Sequence, residues 1–190
     1  MKAIHKQLAG ALGLGPKASP FPWQERLLER FLAGETPRAL DVPTGLGKTA
    51  TDQATQVAID LRDWLDQEAQ SDLKDSLGLG ERQLPISTLR GQHVDNREWL
   101  EDPSCPAVIV GTVDMIGSRL LFQGYGVSRK MRPYHAGLLG HDSLVVLDEA
   151  HLVPPFEALL QAVTAREGAL AGQLPTDELP PMRLLSLSAT

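Results

Sequence analysis

The stretch "DVPTGLGKTATDQATQVAIDL", residues 41–61, decides how the rest of the chain is read. It continues an apolar run, "RALDV" (38–42), and ends in apolar residues at helical spacing, so "PTGLGKT" (43–49) lies between a strand and a helix. Gly45 and Gly47 free the backbone to turn N–H groups toward an anion, and the helix start adds the positive end of its dipole. In a loop of this kind Thr44, Gly45, Leu46 and Gly47 form the cradle, Lys48 reaches the β and γ phosphates, and the Thr49 hydroxyl ligates Mg²⁺. The general pattern G-x-x-x-x-G-K-[ST] asks for glycine where Val42 stands, and an ordinary glycine-rich turn is the plainer reading.

Four further runs have strand character: "LPISTL" (84–89), "PAVIVGT" (106–112), "SLVVLDE" (143–149) and "RLLSLSA" (183–189). Most are continuously apolar, as parallel strands buried on both faces are. Between them lie helix signals. "WQERLLERFLAG" puts Trp23, Leu27, Leu28 and Phe31 on one face and stops at Gly34. "PPFEALLQAVTAREGALAG" opens on prolines and buries Phe156, Leu159, Leu160 and Val163. The alternation predicts an α/β fold, a three-layer sandwich around a mainly parallel sheet. A strand normally follows the helix after a phosphate loop, yet residues 50–83 contain no such run. A helix–strand pair is missing there, and a long acidic helix from 49 to about 69 is expected in its place.

With 190 residues, 42% of them apolar, the chain suits one sizeable domain and not wholesale disorder. The single cysteine, Cys105, allows no internal disulfide; neither a signal peptide nor an apolar run of ~20 residues is present, so a cytoplasmic protein without a membrane span is expected. A formal charge of −6 argues against indiscriminate coating by nucleic acid. Charge is unevenly spread, however. Residues 115–140 contain Arg119, Arg129, Lys130 and Arg132 and no acid, which marks a track for nucleic acid, with a solvated loop as the plainer reading. Residues 60–81 are rich in Asp and Glu and should face away. His93, His135 and His141 lack the partners and spacing of a zinc site.

"SLVVLDEAH" (143–151) supplies the other half of a magnesium–phosphate site. Its apolar residues carry Asp148 and Glu149 to the C-terminal edge of the sheet, at the tip of the strand neighbouring the loop's own. Asp148 can hold Mg²⁺ through water and Glu149 can polarise an attacking water, which makes ATP with Mg²⁺ the expected cofactor pair.

"PTGLGKT", "DEAH" and "SAT" (188–190) together resemble motifs I, II and III of superfamily 2 helicases. The resemblance implies a RecA-like P-loop NTPase domain over residues 21–190, preceded by a lead segment, 1–20. It implies adenine contact by Gln24 in "FPWQ", with a helix cap as the plainer role, and coupling of nucleotide to nucleic acid by His151. Ser188 and Thr190 become triphosphate sensors, and Val42 is tolerated. "GTVD" (111–114) places Thr112 and Asp114 at a backbone-phosphate contact, and "LRG" (89–91) places Arg90 at another. The longer text "STLRGQHVDNREWL", "GTVDMIGSRLLFQGYGVSRKMRPYHAGLLG" and "DEAHLVPPF" is most similar to the CRISPR-associated type I helicase, from about residue 20 onward. That family implies single-stranded DNA and a guide-RNA surveillance complex as partners.

The chain stops at "SAT", short of a second RecA-like domain, and has no HD-type nuclease sequence; both are expected C-terminally or on another polypeptide. An arginine finger from a second domain is worth ~10³–10⁵ in rate, so the isolated chain should bind ATP with little turnover. The competing expectations are a nucleotide-binding module that never hydrolyses, and a different superfamily 2 DNA translocase.

Overall fold

The computed structural model describes residues 9–10, 19–35, 37, 39–41, 51–90, 93–94, 97–165 and 180–188. They fall into two compact units, Met1–Glu35 with Thr49–Gly111, and Thr36–Lys48 with Thr112–Thr190.

In the first unit, helix α1 (Pro22–Leu32) starts on a proline, whose fixed φ suits a first turn. The Phe21 N–H donates to Gln24 Oε1 at 2.8 Å, satisfying one of the orphan groups of the helix start. Trp23, Leu27, Leu28 and Phe31 are only half-buried, so the apolar stripe of α1 is partly covered. Helix α2 (Thr51–Leu65) is followed by a 3₁₀ turn, Glu68–Gln70, and a short helix α3 (Ser71–Ser76). As expected, no strand occurs between residues 51 and 83, although the first helix ends sooner than residue 69.

Leu65, Leu79 and Leu84 form the centre of this unit, with Leu61, Trp64, Leu73 and Val108 packed around them. Lys74 Nζ meets Asp66 Oδ1 at 2.6 Å beside this cluster. Strands β2 (Ile86–Arg90), β3 (His93–Val94) and β4 (Val108–Gly111) make a sheet of order β3-β2-β4. β2 runs parallel to β4 and antiparallel to β3. As the central strand β2 is covered on both faces, and Ile86, Ser87 and Leu89 are all buried.

The second unit holds a wholly parallel sheet of order β1-β6-β5, from β1 (Ala39–Asp41), β5 (Leu144–Leu147) and β6 (Arg183–Ser188). β6 is central, and Leu184, Leu185 and Ser186 are buried in succession. Among the described residues β5 pairs with β6 alone, and Leu144 and Val146 are exposed. Helices α4 (Val113–Leu120), α5 (Arg132–Gly140) and α6 (Pro154–Thr164) complete the unit, and Leu160 of α6 is fully buried. α6 again begins with prolines in its first turn.

All five strands read from the sequence therefore exist, within a mixed α/β chain of short, mostly parallel strands. Among the described residues they pair as two three-stranded sets, β3-β2-β4 in the first unit and β1-β6-β5 in the second, and β3 adds an antiparallel pairing.

Candidate functional site

Parallel pairing aligns the C-terminal ends of the second unit's strands. Asp41 lies level with Ser188, and Leu147 lies level with Ser186. Asp148 and Glu149 thus leave β5 at about the height of Leu187 and Ser188, at the edge where open α/β sheets bind ligands. The sequence reading put the acids on the strand next to β1. Instead β6 lies between, so the tips of β1 and β5 are two strand spacings apart, about 10 Å. Ser188 stands in that interval.

The chain turns sharply after the acids. Glu149 adopts left-handed φ 50, ψ 43, a conformation that costs a non-glycine residue on the order of 1 kcal/mol. Asp148 Oδ1 accepts the Glu149 N–H at 3.0 Å, a local bond that steadies the turn. A 3₁₀ turn, Ala150–Leu152, follows with Ala150 buried as its anchor, and returns His151 toward the sheet edge.

His151 Nδ1 lies 3.4 Å from Glu149 Oε2 and 3.3 Å from Ser188 Oγ. With a proton on Nδ1 the ring donates to the carboxylate or the hydroxyl; without one it accepts the Ser188 hydroxyl. One imidazole nitrogen therefore links the acid at the end of β5 to the serine at the end of β6. Both side chains of the His151–Glu149 pair are about two-fifths exposed, so the pairing contributes little to stability. Its significance is geometric.

The loop read as the phosphate cradle, Thr44, Gly45, Leu46, Gly47, Lys48 and Thr49, lies outside the described residues, as does Thr190. β1 ends at Asp41, immediately before that loop, beside Ser188. The donors at this edge suit Mg²⁺, because two carboxylates are hard oxygen ligands. Among the described residues no three His, Cys, Asp or Glu side chains converge on one point, so an ion here needs further oxygens from elsewhere, such as a bound phosphate.

The remaining site residues belong to separate elements of the two units. Gln24 caps α1 in the first unit, the plainer of its two expected roles. Arg90 closes β2, and its Nη2 donates to Thr55 Oγ1 of α2 at 3.2 Å. Thr112 and Asp114 are exposed at the first turn of α4, with Thr112 at its N-cap. Arg129 and Lys130 are exposed together in the loop before α5.

Arg119 is a correction: it is 2% exposed and does not join that surface. Its Nη1 donates to the Met115 carbonyl at 2.9 Å, and its buried Nε has no partner among the described residues. Burial alone pushes its guanidinium pKa down. The spacing Met115–Arg119 puts it on the inner face of α4, which the basic-segment reading overlooked. Also missed were the exposed rings of Phe122 and Tyr125, legible as aromatics interleaved with glycine in an acid-free stretch. Compared with protein families, curated proteins and solved structures, the chain matches none.

Proposed function

We propose that the chain is the first RecA-like domain of a superfamily 2 DNA helicase acting in CRISPR defence, and that it binds Mg·ATP at the edge where β1, β6 and β5 end. The observation that carries this reading is the Glu149–His151–Ser188 cluster at the aligned tips of β5 and β6. It supports a motor domain because a motor must tell the sheet edge whether a triphosphate is present. His151 is the group that can do so, by changing which of two neighbours it holds.

In this reading Lys48 and the backbone of Thr44–Gly47 grip the phosphates, Thr49 and Asp148 hold the ion, and Gln24 reads the base. Glu149 orients the attacking water, and His151 with Ser188 and Thr190 relays occupancy of the site to the DNA-binding surface. When bound, Mg·ATP supplies the electrophilic phosphoryl group and its charge neutralisation. Thr112, Asp114, Arg90, Arg129 and Lys130 are assigned to single-stranded DNA. The three-layer RecA-like sandwich, the cytoplasmic location, the surveillance-complex partner and the companion motor and nuclease domains belong to the same proposal. Among the described residues no helix is long and apolar enough to cross a membrane.

A second reading is a nucleotide-binding module without turnover. It is favoured by the engagement of Glu149, the water-orienting carboxylate, with His151. Titration of the purified chain with a fluorescent ATP analogue and Mg²⁺, followed by phosphate release with and without single-stranded DNA, separates the readings. Saturable binding lost in Lys48→Ala, with DNA-stimulated release, supports the motor. Binding without release supports the module. A folded chain left empty at millimolar nucleotide refutes both.

A further inference from the structure

The segment after α4 is built as three successive turns. At the helix end the Phe122 and Gln123 N–H groups donate to the Arg119 and Ser118 carbonyls at 3.1 and 2.7 Å. The next turn is closed by Val127 N–H to the Gly124 carbonyl at 3.1 Å, and the third by Met131 N–H to the Ser128 carbonyl at 3.0 Å. Tyr125 and Gly126 are the central residues of the second turn, and Gly126 supplies the positive φ (68°) that a type II turn requires at that place. Arg129 and Lys130 are the central residues of the third. Central turn residues project into solvent, and all three of these side chains are exposed.

The turns are held from below. Gly124 is buried, and a Cβ there would lie 2.9 Å from Val127 Cγ2 and 3.0 Å from Arg119 Cγ, so the arginine stem fits only because residue 124 has no side chain. From the side, Arg132 Nε and Nη1 reach the Val127 carbonyl and Gln123 Oε1, each at 3.4 Å. On this support Phe122 is 54% and Tyr125 64% exposed, accompanied by exposed Leu121 and Met131. Phe122 is moreover held at φ 61, a backbone region rarely adopted by an aromatic residue. Two large rings kept in water on a braced loop, one at a conformational cost, mark a contact surface.

Charge selects the occupant. From residue 115 to residue 141 the chain has no Asp or Glu, while Arg129 and Lys130 follow the rings in sequence, at the centre of the third turn. The complementary molecule is a polyanion that also carries flat apolar faces. Bases in a duplex are already stacked on one another, so only an unpaired strand offers its faces to a side chain.

We propose that Phe122 and Tyr125 form a stacking platform for the bases of a single-stranded nucleic acid whose phosphates lie on Arg129 and Lys130. This rests on the DNA-motor reading for its biological role and adds to it a grip on bases, beyond the backbone contacts assigned there.

The test uses the full chain without nucleotide or metal, and fluorescence anisotropy of a labelled oligothymidylate of ~12 nucleotides, within the ~4–16 typical of single-strand sites. An abasic oligomer of equal length presents the same phosphates without bases. Thymidylate should bind about tenfold tighter or more, and Tyr125→Ala and Phe122→Ala should each weaken it ~5–100-fold while leaving the abasic oligomer unchanged. Tyr125→Trp should retain affinity. Joint replacement of Arg129 and Lys130 by Ala should weaken both oligomers and lower the salt slope by ~0.7 per lost contact. Should Phe122→Ala unfold the loop, the Tyr125 pair of variants decides alone. Equal binding of abasic and thymidylate oligomers, no binding of either, or displacement by polyglutamate as effective as by thymidylate overturns the proposal. ATP-analogue binding measured separately on Tyr125→Ala reports on the motor reading, so either can fail without the other.

Discussion

Replacing Arg119 by methionine should make this protein more stable, against the usual direction of core substitutions. The guanidinium is 2% exposed, donates from Nη1 to the Met115 carbonyl at 2.9 Å and weakly to the Met115 sulfur at 3.9 Å, and among the described residues pairs with no carboxylate. Arginine has no neutral state to retreat to near neutral pH. It therefore carries an uncompensated desolvation penalty of several kcal/mol. Methionine keeps the Cβ–Cγ stem that packs under Gly124 and forfeits the hydrogen bond, worth roughly 1.5–3 kcal/mol for a charged donor. The Met115 carbonyl is not orphaned, since the Ser118 hydroxyl also donates to it at 3.2 Å.

The balance favours Arg119→Met by about 2 kcal/mol, or roughly 4–8 °C in Tm for a chain of this size. Arg119→Ala, which also leaves a cavity, should instead be destabilised by roughly 1–3 kcal/mol relative to Arg119→Met. The pH dependence is also determined. A base whose folded-state pKa is depressed weighs on stability at every pH below that value and stops only as pH rises through it. Because the guanidinium stays charged through this range, the gain from methionine should be the same at about pH 6 and at about pH 9. Urea unfolding followed by circular dichroism at both ends of that range measures this. A loss of more than about 1 kcal/mol in Arg119→Met would show that the guanidinium is well paired, and would refute the reasoning.

Other expectations rest on single observations. Leu160, fully buried in α6, should cost ~2–5 kcal/mol as Leu160→Ala but under ~1.5 as Leu160→Met, read by the same unfolding assay. Glu149→Gly relieves the left-handed backbone and should raise stability by about 1 kcal/mol while abolishing any DNA-stimulated phosphate release; equal or lower stability would show that the turn is unstrained. The Asp66 carboxyl is held below the usual aspartate range chiefly by Lys74, and Asp102 chiefly by the Ser104 hydroxyl and then Arg82. A depressed acid adds stability above its unfolded value, near 3.8, that is lost as pH falls through the folded one. Acid titration of stability below about pH 4 should accordingly be shallower in Asp66→Asn and Asp102→Asn than in the parent chain.

The legible part of this protein was local. Five mainly apolar runs became strands at the expected places, because such runs are stable when packed in a sheet, as the buried Leu184, Leu185 and Leu89 show. Prolines before "ALLQ" opened a helix, and the absence of strand-like residues between 51 and 83 was matched by helices and turns alone. The pairing of strands was not legible, because register and neighbour choice depend on contacts far apart in sequence. Nothing in "RLLSLS" announces that it separates β1 from β5, and that order sets Ser188 against His151.

The side chains divide in the same way. Composition marked residues 115–140 as basic without acid, yet only packing distinguished Arg119, turned inward on α4, from Arg129 and Lys130 at the corner of a turn. Residue types determined which groups were available: two acids after an apolar run, a histidine two residues beyond Glu149, a serine near the end. Tertiary structure decided which of them meet, because a hydrogen bond needs two atoms within about 3.5 Å, and folding alone brings positions 149, 151 and 188 that close.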